Sequence, residues 1–152
     1  MAFNFKLYKK YNLTYAFSTT QDGNMSFRWA GQDKVIKNRQ EFLKKNGIEP
    51  AGTVAMSLTH GTTIKTVDTA EIGSGMLNPG GVEADCLITR EKSLFLFLLT
   101  ADCLPVIFYE PKKEALALAH LSRHNTKENF IRKISGFCLS LTALSLLWIH
   151  GR

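Results

Sequence analysis

The chain has 152 residues, 45% of them hydrophobic, and a formal net charge of +6. That length and apolar content suffice for a single domain, residues 1–152, with a real core, and they exclude global disorder. The basic residues are spread over solvated faces and turns with no stripe interleaved with aromatics, so no nucleic-acid partner is expected.

Residues 1–20 alternate polar and apolar side chains and lack the continuous apolar segment of a signal peptide, which gives a cytoplasmic location as the expectation. Three cysteines, Cys86, Cys103 and Cys138, are an odd number and argue for reduced thiols rather than a disulfide framework. Residues 134–150 carry no Lys, Arg, Asp or Glu. Their serines, threonine and glycine favour a buried helix followed by a strand over a membrane span, and no membrane partner is expected.

In chain order, residues 11–19 read as a strand, Gln21-Asp22-Gly23-Asn24 as a turn, and residues 25–29 as a second short strand. Residues 33–46 turn helical, with Asp33 as N-cap, Val35, Ile36, Phe42 and Leu43 as the apolar face, and Gly47 as the stop. Arg39 lies on that apolar face, where a guanidinium holds a carboxylate or phosphate or else snorkels into a structural ion pair. Residues 53–58 and 63–67 are strand-like and flank Thr59-His60-Gly61-Thr62, which places His60 in a turn between strands. Residues 71–81, with four glycines and a proline, read as an irregular surface loop.

Residues 86–89 and 94–99 follow as buried strands covered on both faces. Residues 104–109 and 115–120 form a hairpin around a Pro111-initiated turn. Beyond it, Phe130, Ile131, Ile134, Phe137, Cys138 and Leu141 recur at helical spacing, with Asn125 or Thr126 as cap. Strands with helices interspersed irregularly give an α+β architecture of mixed sheets with flanking helices.

The segment Thr100-Ala101-Asp102-Cys103-Leu104-Pro105-Val106, with His60 before it and His120 after it, carries the chemistry. Cys103 and His120 lie at the open end of one hairpin. One thiol and two imidazoles can hold a zinc ion and leave its fourth position open, the arrangement of a catalytic metal site. The same residues also read as a buried cysteine and a satisfied core histidine.

Together with Ala16-Phe17-Ser18-Thr19-Thr20, Asn38-Arg39, Leu58-Thr59-His60-Gly61, Glu83-Ala84-Asp85 with Thr89, Leu99, and Ala119-His120, this segment forms a colinear set over residues 12–137. That set resembles the YfiH-like polyphenol oxidase (laccase) domain family, described as zinc-dependent purine nucleoside enzymes. The resemblance implies a YfiH-like fold and a metal held by His60, Cys103 and His120, which would also be the catalytic residues. It further implies phosphorolysis of purine nucleosides, a transferase reaction, and hydrolytic deamination of adenosine. Arg39 and Arg123 are the candidates for phosphate.

The chain departs from the family at Leu121-Ser122-Arg123-His124-Asn125, where a glycine-tryptophan-arginine-glycine segment is usual. It also stops at Arg152, where the family continues through further strands. A member lacking its C-terminal part is therefore expected, self-associating through an edge at residues 146–149.

Three alternatives stand beside this reading. A copper polyphenol oxidase needs many imidazoles in His-x-His pairs, whereas the chain has four histidines and no such pair, although copper binds such sites tightly in vitro. A thiol hydrolase would use Cys103 as nucleophile and His120 as base. The last is an inactive shortened homologue.

Overall fold

A computed structural model describes residues 13–137. Helix α1 (Gln32–Lys45) is followed by strands β1 (Thr53–Ser57), β2 (Ile64–Thr66), β3 (Val82–Glu83), β4 (Cys86–Thr89), β5 (Phe95–Phe97), β6 (Leu104–Glu110) and β7 (Ala115–Leu121), then helices α2 (Arg123–Lys127) and α3 (Phe130–Phe137). The strands form two sheets. One has the order β3-β1-β5 and is wholly parallel; the other has the order β2-β4-β7-β6, with β2 parallel to β4 and β7 antiparallel to both its neighbours. Among the described residues no helix is long and apolar enough to cross a membrane.

Side-chain alternation along the strands stacks these elements in four layers. On β1, Ala55 joins Phe42 and Leu43 of α1, while Val54 and Met56 join Leu87 of β4 and Leu118 of β7 between the sheets. On β4 and β7, Cys86, Ile88, Ala117 and Ala119 face the other way and pack with Phe130 and Ile134 of α3. The alanines leave room for the bulky face of α3, and all four residues of β4 are buried, as a strand covered on both sides requires.

Two chain crossings join the sheets side by side. The chain passes from β1 to β2 through residues 58–63, and from β3 to β4 through Ala84 and Asp85. They are stitched together where the Ala84 N–H donates to the Ser57 carbonyl at 3.1 Å and the Asp85 N–H to the Thr63 carbonyl at 2.9 Å.

Several expected elements take a different form. Residues 13–19 form no strand; Ala16 packs instead against the cluster under α1. Residues 25–29 are a turn: Asn24 Oδ1 accepts the Ser26 N–H at 2.8 Å and the Ser26 carbonyl accepts the Trp29 N–H at 3.2 Å, local bonds that compete with a sheet ladder. The N-cap of helix α1 lies two residues earlier than expected, at Gly31, with Asp33 in the first turn.

The expected C-terminal helix is broken in two. Ser122 caps α2 by accepting the Asn125 N–H, and Asn129 at φ 55° separates α2 from α3. Its expected continuation through Cys138 and Leu141, the strand beyond it and the edge at residues 146–149 lie outside the described residues.

The glycine-rich segment 71–81 is bound to β1 rather than free on the surface. The Gly73 N–H donates to the Thr53 carbonyl and the Ala55 N–H to the Ser74 carbonyl, both at 2.9 Å. A Cβ on Gly81 would stand 2.6 Å from the Ala55 carbonyl oxygen, so glycine is needed there for the chain to approach β1.

Arg39 of α1 anchors this loop. Its side chain is 3% exposed, and Nε donates to the Met25 carbonyl at 2.8 Å while Nη1 donates to the Gly75 and Met76 carbonyls at 2.5 and 3.2 Å. The rings of Phe27 and Phe97 lie 4.4 and 5.1 Å from the guanidinium carbon. Burial pulls its pKa down to about 10, which leaves it charged at neutral pH. Arg39→Met keeps the apolar stem but strips three carbonyls of their donor, and it should cost about 2–4 kcal/mol. Urea unfolding checks this; an unchanged midpoint would show that the anchor does not stabilise the fold.

Candidate metal and active site

The two crossings bring His60 and His120 together at a shared end of the sheets. The register of β4 on β7 sets Cys86 opposite Ala119, so one step further Asp85 lies opposite His120, and the His120 N–H donates to the Asp85 carbonyl at 2.8 Å. Alternation places both side chains on the inner side with Leu87 and Leu118. They are 0% and 1% exposed respectively.

A buried carboxylate must be paired and hydrogen-bonded. Asp85 Oδ1 accepts the His60 N–H at 2.9 Å and lies 3.2 Å from His120 Nδ1. Its Oδ2 accepts the Gly61 N–H at 2.9 Å and the Thr59 hydroxyl. These contacts hold His60 at φ 59°, in the left-handed region. The exposed His60 ring then meets the His120 ring edge to face, with centroids 5.0 Å apart and planes at 81°.

A carboxylate facing two hydrogen-bonding nitrogens only accepts, so His120 carries its proton on Nδ1 and keeps the Nε2 lone pair. Burial lowers the His120 pKa below its ordinary 6.5; the Asp85 hydrogen bond and charge oppose that fall, and nearby His60 adds to it. The ring is thus neutral at pH 7, the state a metal requires of an imidazole. On the far side, the Asn125 side-chain amide donates to the His120 carbonyl at 2.9 Å.

Cys103 is half-buried and precedes β6, its carbonyl accepting the Thr100 hydroxyl at 2.7 Å. On the adjacent ladder Pro105, two residues on, pairs with His120. Among the described residues no group of three or more His, Cys, Asp or Glu side chains is gathered to hold a metal ion. The structure thus assembles the two imidazoles and leaves the thiol at the start of the neighbouring strand. Arg123 is exposed at the first position of α2, directly after the His120 strand. Arg39 is spent on backbone carbonyls.

Sequence reasoning missed the role of Asp85. An acid within the apolar stretch Ala84–Leu87 was the available signal, since it had to be partnered once buried. It also missed Lys133 of α3, whose ammonium donates to the Thr62 hydroxyl at 3.1 Å and ties that helix to the His60 turn.

Residues 15–138 match the family described as multi-copper polyphenol oxidoreductase laccase. The chain is 36% identical over 89 residues to the purine nucleoside phosphorylase SCO2081 of Streptomyces coelicolor, covering 59% of this chain and 35% of that protein. It is 28% identical over 102 residues to the purine nucleoside phosphorylase YlmD of Bacillus subtilis, covering 66% and 37%. Its fold is similar to the crystal structure of YlmD from Geobacillus stearothermophilus, with a TM-score of 0.71, 25% identity, and coverage of 75% of this chain and 43% of that one. YfiH of Bacillus licheniformis gives a TM-score of 0.70 at 26% identity, with 75% and 44% covered.

The chain thus spans well under half the length of these relatives. The mixed sheets with flanking helices expected from the sequence are the architecture found, and the family implies a metal. By its match over residues 15–138, the chain belongs to the laccase-like multi-copper polyphenol oxidoreductase family.

Proposed function

We propose that the chain forms the metal-binding part of a zinc-dependent purine nucleoside phosphorylase, with His60, Cys103 and His120 as the zinc ligands and the catalytic residues. The observation that carries the reading is the Asp85 carboxylate on Nδ1 of buried His120, the arrangement by which proteins orient a metal-binding imidazole. The relatives named as purine nucleoside phosphorylases supply the substrate class. Two imidazoles and a cysteine sulfur suit zinc, while four histidines without a His-x-His pair do not suit a multicopper centre.

Zinc bound there would act as a Lewis acid and lower the pKa of a bound water to about 7, which also accommodates adenosine deamination. The protein's own residues do the rest. Asp85 and the sheet register fix His120, the left-handed turn presents His60, and Arg123 offers phosphate a bidentate fork beside the His120 strand. Arg39, with its guanidinium on three carbonyls, keeps the loop in place instead. We also place the protein in the cytoplasm, with purine nucleosides and phosphate as its small-molecule partners.

Cys103→Ser should abolish zinc retention and nucleoside phosphorolysis, because a hydroxyl is a far poorer zinc ligand than a thiolate. His60→Ala should be nearly as damaging. Metal analysis of protein purified without added metal, paired with an inosine phosphorolysis assay, checks both. Turnover retained by His60→Ala without zinc would favour the Cys103–His120 hydrolase dyad and overturn the reading, as would phenol oxidation that depends on copper.

Arg123→Met should raise the KM for phosphate about tenfold or more and leave the KM for the nucleoside near its original value, since one charge-assisted bidentate contact is worth roughly 1.5–3 kcal/mol. Steady-state kinetics with each substrate varied in turn provide the check. An unchanged phosphate KM would remove Arg123 from the site.

A further inference from the structure

Thr59, His60 and Gly61 belong to one crossing and His120 to β7, yet all four bond to one carboxylate. Each oxygen of Asp85 takes one peptide N–H of the turn, from His60 at Oδ1 and from Gly61 at Oδ2, and each takes one further donor, His120 Nδ1 or the Thr59 hydroxyl. We infer that Asp85 is a positioning residue that couples the two histidines, so that a disturbance on the His60 side of the carboxylate is transmitted to the His120 ring. Its functional consequence rests on the zinc reading above; the coupling itself does not.

The donor pattern explains why a carboxylate is required. An amide in the same place presents an oxygen to one side and an NH2 to the other. With either orientation, the NH2 faces a peptide N–H of the turn, and one of His60 or Gly61 loses its acceptor. Thr59 and His120 can each change role, because a hydroxyl rotates and an imidazole has two tautomers, but the peptide groups cannot. Only a group accepting on both sides holds the left-handed turn and the Nδ1–H tautomer of His120 together. The His60 ring also lies against that of His120, so the two routes are separated in a His60→Asn background, asparagine tolerating the left-handed turn: there, a carboxylate that merely capped the turn would leave His120 indifferent to changes at Thr59.

Thr59→Val, made in that His60→Asn background for the spectra, tests the coupling, because it removes the hydroxyl bonded to Asp85 Oδ2 with little change of shape. In metal-free protein labelled with 15N, the imidazole signals of His120 should move along with the backbone amides at position 60 and at Gly61. Zinc affinity, measured by competition with a chelating dye, should fall about threefold or more for Thr59→Val. For Asp85→Asn it should fall about 10–100-fold, the range for lost outer-shell partners of a metal-binding histidine.

His120 signals that stay in place in Thr59→Val while the turn amides move would overturn the coupling. So would zinc affinity in Asp85→Asn within twofold of the unaltered protein. If Asp85→Asn does not fold, Thr59→Val alone decides. If the unaltered protein binds no zinc, the functional reading fails while the metal-free spectra still decide the coupling.

Discussion

Both histidines of the candidate site depend on one carboxylate that has been taken out of water. A charge with no exposed surface is tolerated only where its bonding capacity is filled, and Asp85 meets that condition with two peptide N–H groups, a hydroxyl and an imidazole. The constraint runs both ways. The turn at His60 adopts a left-handed backbone that a non-glycine residue resists, and the carboxylate bonds compensate it. His120 gives up its hydration on burial and receives in return a fixed tautomer with Nε2 free.

The fold supplies the means of bringing these groups together. Two parallel strand pairs, β1 with β3 and β2 with β4, share the task of passing between sheets, so two short crossings run next to each other. Asp85 is on one and His60 on the other; antiparallel pairing with β7 delivers His120 to the same point. The layers beyond act as supports. Phe130 and Ile134 of α3 lock the outer face of β7 and β4, Lys133 reaches from the same helix to Thr62, and Arg39 holds the long loop that runs along the flank of β1 before β3 begins.

Local patterns in the sequence disclosed what local physics decides. The period of Val35, Phe42 and Leu43 marks α1, and the apolar runs around Pro111 mark the hairpin almost to the residue. Arg39 was visible as an arginine on an apolar face, but its partners are backbone carbonyls in distant segments, which no side-chain pattern reveals. Asp85 was visible only as one letter in a matching block; its partners lie about 25 residues upstream and 35 downstream. The strand expected at residues 25–29 failed because Asn24 and Ser26 bond their own backbone, and the C-terminal helix broke because Asn129 takes a left-handed conformation. The histidine pair was legible because turns and strand ends of a sheet protein collect at one edge; the place of Cys103 depends on a bend held by Thr100, and spacing does not encode that bend.

The central claim is that the two histidines bound through Asp85, completed by Cys103, hold zinc. X-ray absorption at the zinc edge, on protein purified with no metal added, addresses it most directly. The account predicts a zinc edge with nitrogen neighbours at about 2.0–2.1 Å and one sulfur at about 2.3 Å. A coordination shell without sulfur, or a copper edge in place of the zinc edge, would contradict it.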